Sequence, residues 1–150
     1  MSDFKAALAA ARAAVPDTET IGVSLGDQLV TLKFKALPST EWTAITGVHP
    51  PRPENPLDMN YGYNWHASAD DAAVLSVVRV EDGNDVPFEH SDATDGTEAV
   101  DEWAELLSFL SSPDLTQIRN AVWGLNEFAP GARTEALKKA STVNLRRKRV

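Results

Sequence analysis

Apolar and polar positions alternate along this chain with two different periods, and the period changes mark the predicted elements. Phe4, Ala7, Leu8, Ala11 and Val15 recur at helical spacing. Ser2 or Asp3 suits the start of that helix and Pro16 its end. The stripe is narrow and mostly alanine, so the helix is weakly anchored unless something packs on it. In "TIGVSLGDQLVTLKFKAL", Ile21, Val23 and Leu25 alternate with small or polar residues, and Val30, Leu32 and Phe34 do the same after Gly26-Asp27. Gly-Asp between two alternating runs predicts a β-hairpin. An isolated hairpin is marginal, so it must lie on helices or extend another chain's sheet.

"PSTEWTAITG" predicts a short helix capped by Ser39 or Thr40, with Trp42 and Ile45 on one face and Gly47 at the stop. Pro50, Pro51, Pro53 and Pro56 then make helix and central strand unfavourable from His49 to Pro56. "SADDAAVLSVVRV" predicts a helix with Ser68 and Asp71 as a weakened capping box and Val74, Leu75 and Val78 facing inward. Its β-branched content also resembles a strand. "EDGNDVPFEHSDATDG" reads as an acidic, turn-rich linker.

Two helices with clear signals follow. Thr97 is the expected cap of the first, whose stripe is Val100, Trp103, Leu106, Leu107 and Leu110. Ser112 is the expected cap of the second, with Pro113 at the first helical position and a stripe of Leu115, Ile118, Val122 and Leu125. After Pro130-Gly131, "TEALKKA" suits a short helix and "LRRKRV" a mobile end. The expected fold is mainly α with a small N-terminal β-hairpin, a compact helical domain over 18–130. It is flanked by an N-terminal helix over 1–17 and a basic tail over 131–150.

Charge sharpens this division. The formal net charge is −8 over 150 residues. Between Pro53 and Ile118 there are fifteen acidic residues and one basic residue, Arg79, whereas Gly131 to Val150 holds seven basic residues and one acidic, Glu135. The asymmetry reads as solubility with a solvated tail, or as a tail that touches a partner or the acidic middle. There are no cysteines, which suits a reducing compartment and leaves no disulfide or thiolate metal site. No apolar run approaches the roughly 20 residues of a membrane span. The charged first segment does not read as a secretory signal, so the chain is expected to stay where it is made.

Candidate chemistry is sparse. His49, His66 and His90 fall in predicted loops without metal-ligand spacing. The acidic linker lacks the ordered spacing of a calcium loop, no serine elbow is present, and no carboxylate pair is singled out for acid–base work. The pattern therefore points away from an enzyme and asks for no catalytic residue, cofactor or metal. The basic tail is not interleaved with aromatics, so nucleic acid is an unfavoured partner.

The densest aromatic cluster follows the proline loop: Tyr61, Tyr63 and Trp65, with Trp123 one residue off its own helical stripe. Two readings stand. The aromatics brace the Trp42 helix against the Val74 helix, which is the commoner role of buried rings. Alternatively, Tyr61, Tyr63, Trp65 and Trp123 form part of a partner or self-assembly surface.

Trp42, the run His49-Pro50-Pro51-Arg52, the run Gly62-Tyr63-Asn64, Trp103 and Leu125-Asn126 occur in an order that resembles tail assembly chaperones of long-tailed phages infecting actinobacteria. The match spans roughly residues 20 to 128, and its specific part is His-Pro-Pro-Arg with Gly-Tyr-Asn. The resemblance implies a non-enzymatic protein that binds the tape measure protein and keeps it soluble until the tail tube polymerises. It also implies location in the host cytoplasm, absence from the finished virion, and in many members a longer frameshifted product. The tail tube protein is a further possible partner, and self-association is expected. Two other readings are a structural tail or neck component of the virion and an acidic inhibitor that mimics DNA.

Overall fold

The computed structural model describes residues 2–148, with side-chain surroundings given through residue 143. The chain begins with α1 (Asp3–Ala13), capped by the Ser2 side chain, which accepts from the Lys5 backbone N–H. None of its residues is buried. It leads into β1 (Thr18–Leu25) and β2 (Gln28–Lys35), paired antiparallel from Thr18 opposite Lys35 to Leu25 opposite Gln28. Gly26 takes a positive φ of 59° in the two-residue turn. Val23, Leu32 and Phe34 point to one face and are fully buried there.

The fold is mixed α/β rather than mainly α, because the hairpin is half of a larger sheet. The predicted helix over 68–80 ends earlier: α4 (Trp65–Ser76) gives way to β3 (Val78–Glu81), which pairs with β2 and is followed by β4 (Asn84–Val86). The four strands lie in the order β1-β2-β3-β4. The physical reason is the open edge of β2, whose unpaired amides need partners, beside a run of β-branched valines at 77, 78 and 80 that suits pairing. The start of the expected acidic linker is the β3–β4 turn. Asp82 and Gly83 both have positive φ there, 50° and 77°, the pattern of a type I′ hairpin. His90–Ser91 (β5) and Val100–Asp101 (β6) form a second small ladder.

The inward face of α4 also differs from expectation. Ser68, Ala69, Ala72, Ala73 and Ser76 are buried, whereas Val74 and Leu75 are exposed. Small residues let α4 approach β2 and α6 (Ser112–Trp123) closely, a choice that hydrophobicity alone does not reveal. The cap of α4 is Asn64, not Ser68, whose hydroxyl instead donates to the Asn64 carbonyl.

α5 (Glu102–Phe109) is capped by Asp101 rather than Thr97, since β6 occupies the preceding residues. Its Trp103 stacks edge-on against Phe34 at 6.3 Å and Phe88 at 5.2 Å. In α6 the cap is Ser111, one residue before the expected position, and Ile118, Ala121 and Val122 are buried. The start of α6 also holds the outer strand. The Asp114 carboxylate accepts from the Ser24 amide and hydroxyl, and Gln117 donates to the Gly22 carbonyl.

Pro130-Gly131 does not break the chain. A π-helical turn (Gly124–Phe128) passes α6 directly into α7 (Ala129–Lys148). Pro130 is the second residue after the π turn, so the helix runs past it although it donates no N–H. Every position from 131 to 143 is exposed. The helical backbone continues through 145–148 of the segment expected to be mobile, and 149 and 150 lie outside the described residues. No helix among the described residues is long and apolar enough to cross a membrane.

Candidate functional site

The proline loop is fastened by one buried carboxylate. Asp58 is 0% exposed and lies in α3 (Pro56–Tyr61), a short helix that the proline count argued against only as far as its first residue. Its Oδ2 accepts from the Arg52 amide at 2.9 Å and from Arg52 Nε at 2.7 Å, and its Oδ1 accepts from Arg52 Nη2 at 3.0 Å and from the Trp65 amide at 3.2 Å. The Arg52 hydrogen bonds hold this carboxyl well below the ordinary range against the opposing effect of burial. Asp58 is thereby kept ionised at neutral pH, so it anchors the loop and is poorly suited to proton transfer.

The other motif residues bond around this pair. Asn55 caps α3, accepting from the Asp58 amide. Gly62 ends it in the left-handed region at φ 84° and donates to the Asp58 carbonyl at 2.7 Å. Asn64 then caps α4 through its side chain, while its amide donates to the His49 carbonyl at 3.0 Å. Thus His49 to Arg52 and Gly62 to Asn64 form one interlocked unit, with Pro50 and Pro51 on the connecting path. His49 Nε2 also lies 2.6 Å from Asp71 Oδ2.

The aromatics divide into an inner and an outer group. Tyr63 is buried edge-on against Trp42, ring centres 5.9 Å apart. Its hydroxyl donates to Glu127 Oε1 at 2.7 Å and accepts from Trp123 Nε1 at 3.2 Å. Burial, and secondarily Glu127, pushes the phenol well above its ordinary pKa. Outside it, Trp123 meets Tyr61 at 5.3 Å, Trp65 at 6.1 Å and Phe128 at 5.9 Å. Tyr61 remains 39% exposed and Phe128 60%. Leu57 and Met59 of α3 are exposed too. Of the four expected partner-binding residues, Tyr61, Trp65 and Trp123 therefore share a partly open aromatic surface, and Tyr63 braces it from within.

Tyr63→Phe removes the donor to Glu127 and the acceptor for Trp123 Nε1. It is expected to lower stability by about 1–2 kcal/mol, read from the urea midpoint. An unchanged midpoint would mean that water replaces both bonds.

Charged groups flank the unit. His66 Nδ1 lies 3.3 Å from Arg52 Nη1, an arrangement that suits a neutral ring accepting from the guanidinium. Burial, then the charges of Arg119 and Arg52, lower its pKa. Arg119 makes a bidentate pair with Asp70 at 2.8 and 2.9 Å. Two expected loop histidines thus occupy regular elements, His66 in α4 and His90 in β5. Among the described residues no group of three or more His, Cys, Asp or Glu is arranged to hold a metal ion.

Trp103 does not join this surface and belongs to the Phe34–Phe88 packing. Leu125 is buried, and Asn126 accepts from the Leu37 amide at 2.8 Å, tying the π turn to the end of β2. Sequence reasoning missed Asp58, Glu127 and Phe128. The spacing Asn55 to Asp58 around Pro56 is a helix-start signal that marks Asp58. Nothing local marks Glu127 or Phe128, because the π turn re-aims both. No family model, no curated protein and no solved structure matches this chain.

Proposed function

We propose that this chain is a phage tail assembly chaperone that binds the tape measure protein and keeps it soluble until the tail tube polymerises around it. One observation carries the reading. The two specific segments of the resemblance, His49 to Arg52 and Gly62 to Asn64, bond to each other and together support the partly open aromatic surface on which Tyr61 and Phe128 are exposed and Trp65 and Trp123 half-buried. A tape measure protein is long, helical and rich in apolar faces, so it aggregates alone. A rigid aromatic surface covers such a face with little loss of side-chain freedom. The acidic middle of the chain keeps the complex dispersed.

Co-expression with the tape measure protein of the same phage tests this. The expected result is a soluble tape measure protein that co-elutes with this chain. If the tape measure protein precipitates as it does alone, beside folded chaperone, the reading fails. Recovery of the chain in purified virions would make it a structural tail component instead.

A further inference from the structure

We propose that the seam between α4 and α6 is a two-anchor cradle for a helix of the tape measure protein, one with two bulky apolar side chains two turns apart and basic flanks. The identity of the partner rests on the chaperone reading; the shape of the cradle does not. The two helices run antiparallel. Trp65 of α4 meets Trp123 of α6 at one end, and Asp70 pairs with Arg119 in the middle. Ala73, Leu115 and Ile118 line a cavity of about 250 Å³ at the other end, and Trp103 and Leu107 of α5 close its remaining wall. Leu115, Arg119 and Trp123 follow at four-residue spacing and share one face of α6, as His66, Asp70 and Ala73 share one face of α4. The cavity and the aromatic surface are therefore two ends of one groove, divided by the Asp70–Arg119 pair.

Geometry and charge name the occupant. Leu115 lies eight residues before Trp123, and Ala73 eight after Trp65, which sets the two ends about 12 Å apart along the helices. Side chains at i and i+7 of a partner helix stand on one face about 10 Å apart, so one enters the cavity while the other lies on Tyr61, Trp123 and Phe128. The Asp70–Arg119 pair lies between them, with Asp70 about half exposed. A large apolar residue there would cover charged groups without bonding them, so the partner's intervening position is small or polar. Residues 80–118, which include α5, carry eleven acidic residues and no Lys or Arg. A helix with Lys or Arg beside its apolar stripe is attracted to that wall, and an acidic one is repelled. The apolar faces of a tape measure protein are thus not equivalent: those with two-turn spacing and basic flanks are gripped at two points, the others at one.

The full chain is titrated with labelled helical peptides of about 20 residues, and binding is read by fluorescence anisotropy. Two peptides share one alanine and lysine composition and carry two phenylalanines either seven or three residues apart. The seven-spaced peptide is expected to bind about tenfold tighter, and a version with glutamate in place of lysine more weakly. Leu107→Gln with Leu115→Gln removes the apolar wall of the cavity and should bring the two lysine peptides to equal affinity. Both leucines are half-buried, so circular dichroism checks that variant's fold. Tyr61→Ser with Phe128→Ser, at two exposed positions, removes the other anchor and should equalise the peptides as well. Equal affinity of both lysine peptides for the native chain overturns the proposal, and so does a preference that survives in both folded variants or undiminished binding of the glutamate peptide. A second copy seated in the groove would block both lysine peptides alike and counts against it in the same way. A native chain that prefers the seven-spaced peptide but does not co-elute with the tape measure protein sinks the chaperone reading and leaves the cradle. Co-elution with a native chain that binds both peptides alike does the reverse.

Discussion

Arg52→Ala is expected to cost about 3 kcal/mol of stability at neutral pH, a large part of what a domain of this size has. The loss does not come from the arginine, whose side chain is partly exposed, but from Asp58, which is fully buried. Without Arg52 the carboxylate keeps only the amides of residue 52 and Trp65 as partners. The pH dependence has a definite sign. The folded pKa of Asp58 is depressed, so the native chain holds this stabilisation above the unfolded value of about 4 and loses it as pH falls through the folded value. In the variant only burial and two amides act, so Asp58 protonates at higher pH. The deficit between the two proteins should therefore be greatest near neutrality and shrink below about pH 4. Urea midpoints at neutral and acid pH measure it. His66 supplies a second readout. It loses one of the charges that lower its pKa, so its imidazole should titrate higher by NMR, while burial still holds it below the ordinary value. Equal stability of variant and native chain at neutral pH would show that Asp58 does not anchor the loop.

Tyr61→Ser combined with Phe128→Ser is expected to abolish co-elution with the tape measure protein while leaving the fold intact. Both rings are substantially exposed and both lean on Trp123. Truncating an aromatic anchor at a binding surface typically costs 2 kcal/mol or more, about thirtyfold in affinity for each residue. Thermal unfolding separates this effect from a folding defect, because Trp42 and Tyr63, the inner pair, are untouched. A folded double variant that still rescues the tape measure protein would move the binding surface elsewhere on the chain. Loss of rescue with an unchanged melting temperature would assign it to this surface.

The sequence by itself determined the elements whose signals are local. The β1–β2 hairpin is specified by alternation around Gly26-Asp27, α2 (Ser39–Gly47) by Trp42 and its flanks, and the α6 stripe by Ile118 and Val122. Each needs only neighbouring residues to be read. The caps are less legible: Ser111 lies one residue and Asn64 and Asp101 four residues from the expected positions, and α2 starts after Pro38 without the side-chain cap expected of Ser39 or Thr40. The sequence also brought Tyr61, Tyr63, Trp65 and Trp123 together as candidates through composition and helix phase.

Tertiary structure decided the rest. The valines at 77, 78 and 80 suit either a helix or a strand, and the open edge of β2 settles the choice. The buried face of α4 is alanine and serine because the space between β2 and α6 is narrow, so volume outweighs hydrophobicity. Asp58 looks like any acidic residue until Arg52 closes on it. Whether an aromatic braces or stays open is likewise absent from its own neighbourhood: Tyr63 and Tyr61 are two residues apart, yet one is sealed by Trp42 and Glu127 while the other faces outward beside Trp123. Glu127 and Trp123, which help to set that difference, lie some sixty positions away in the sequence, and only the folded chain brings them to the loop.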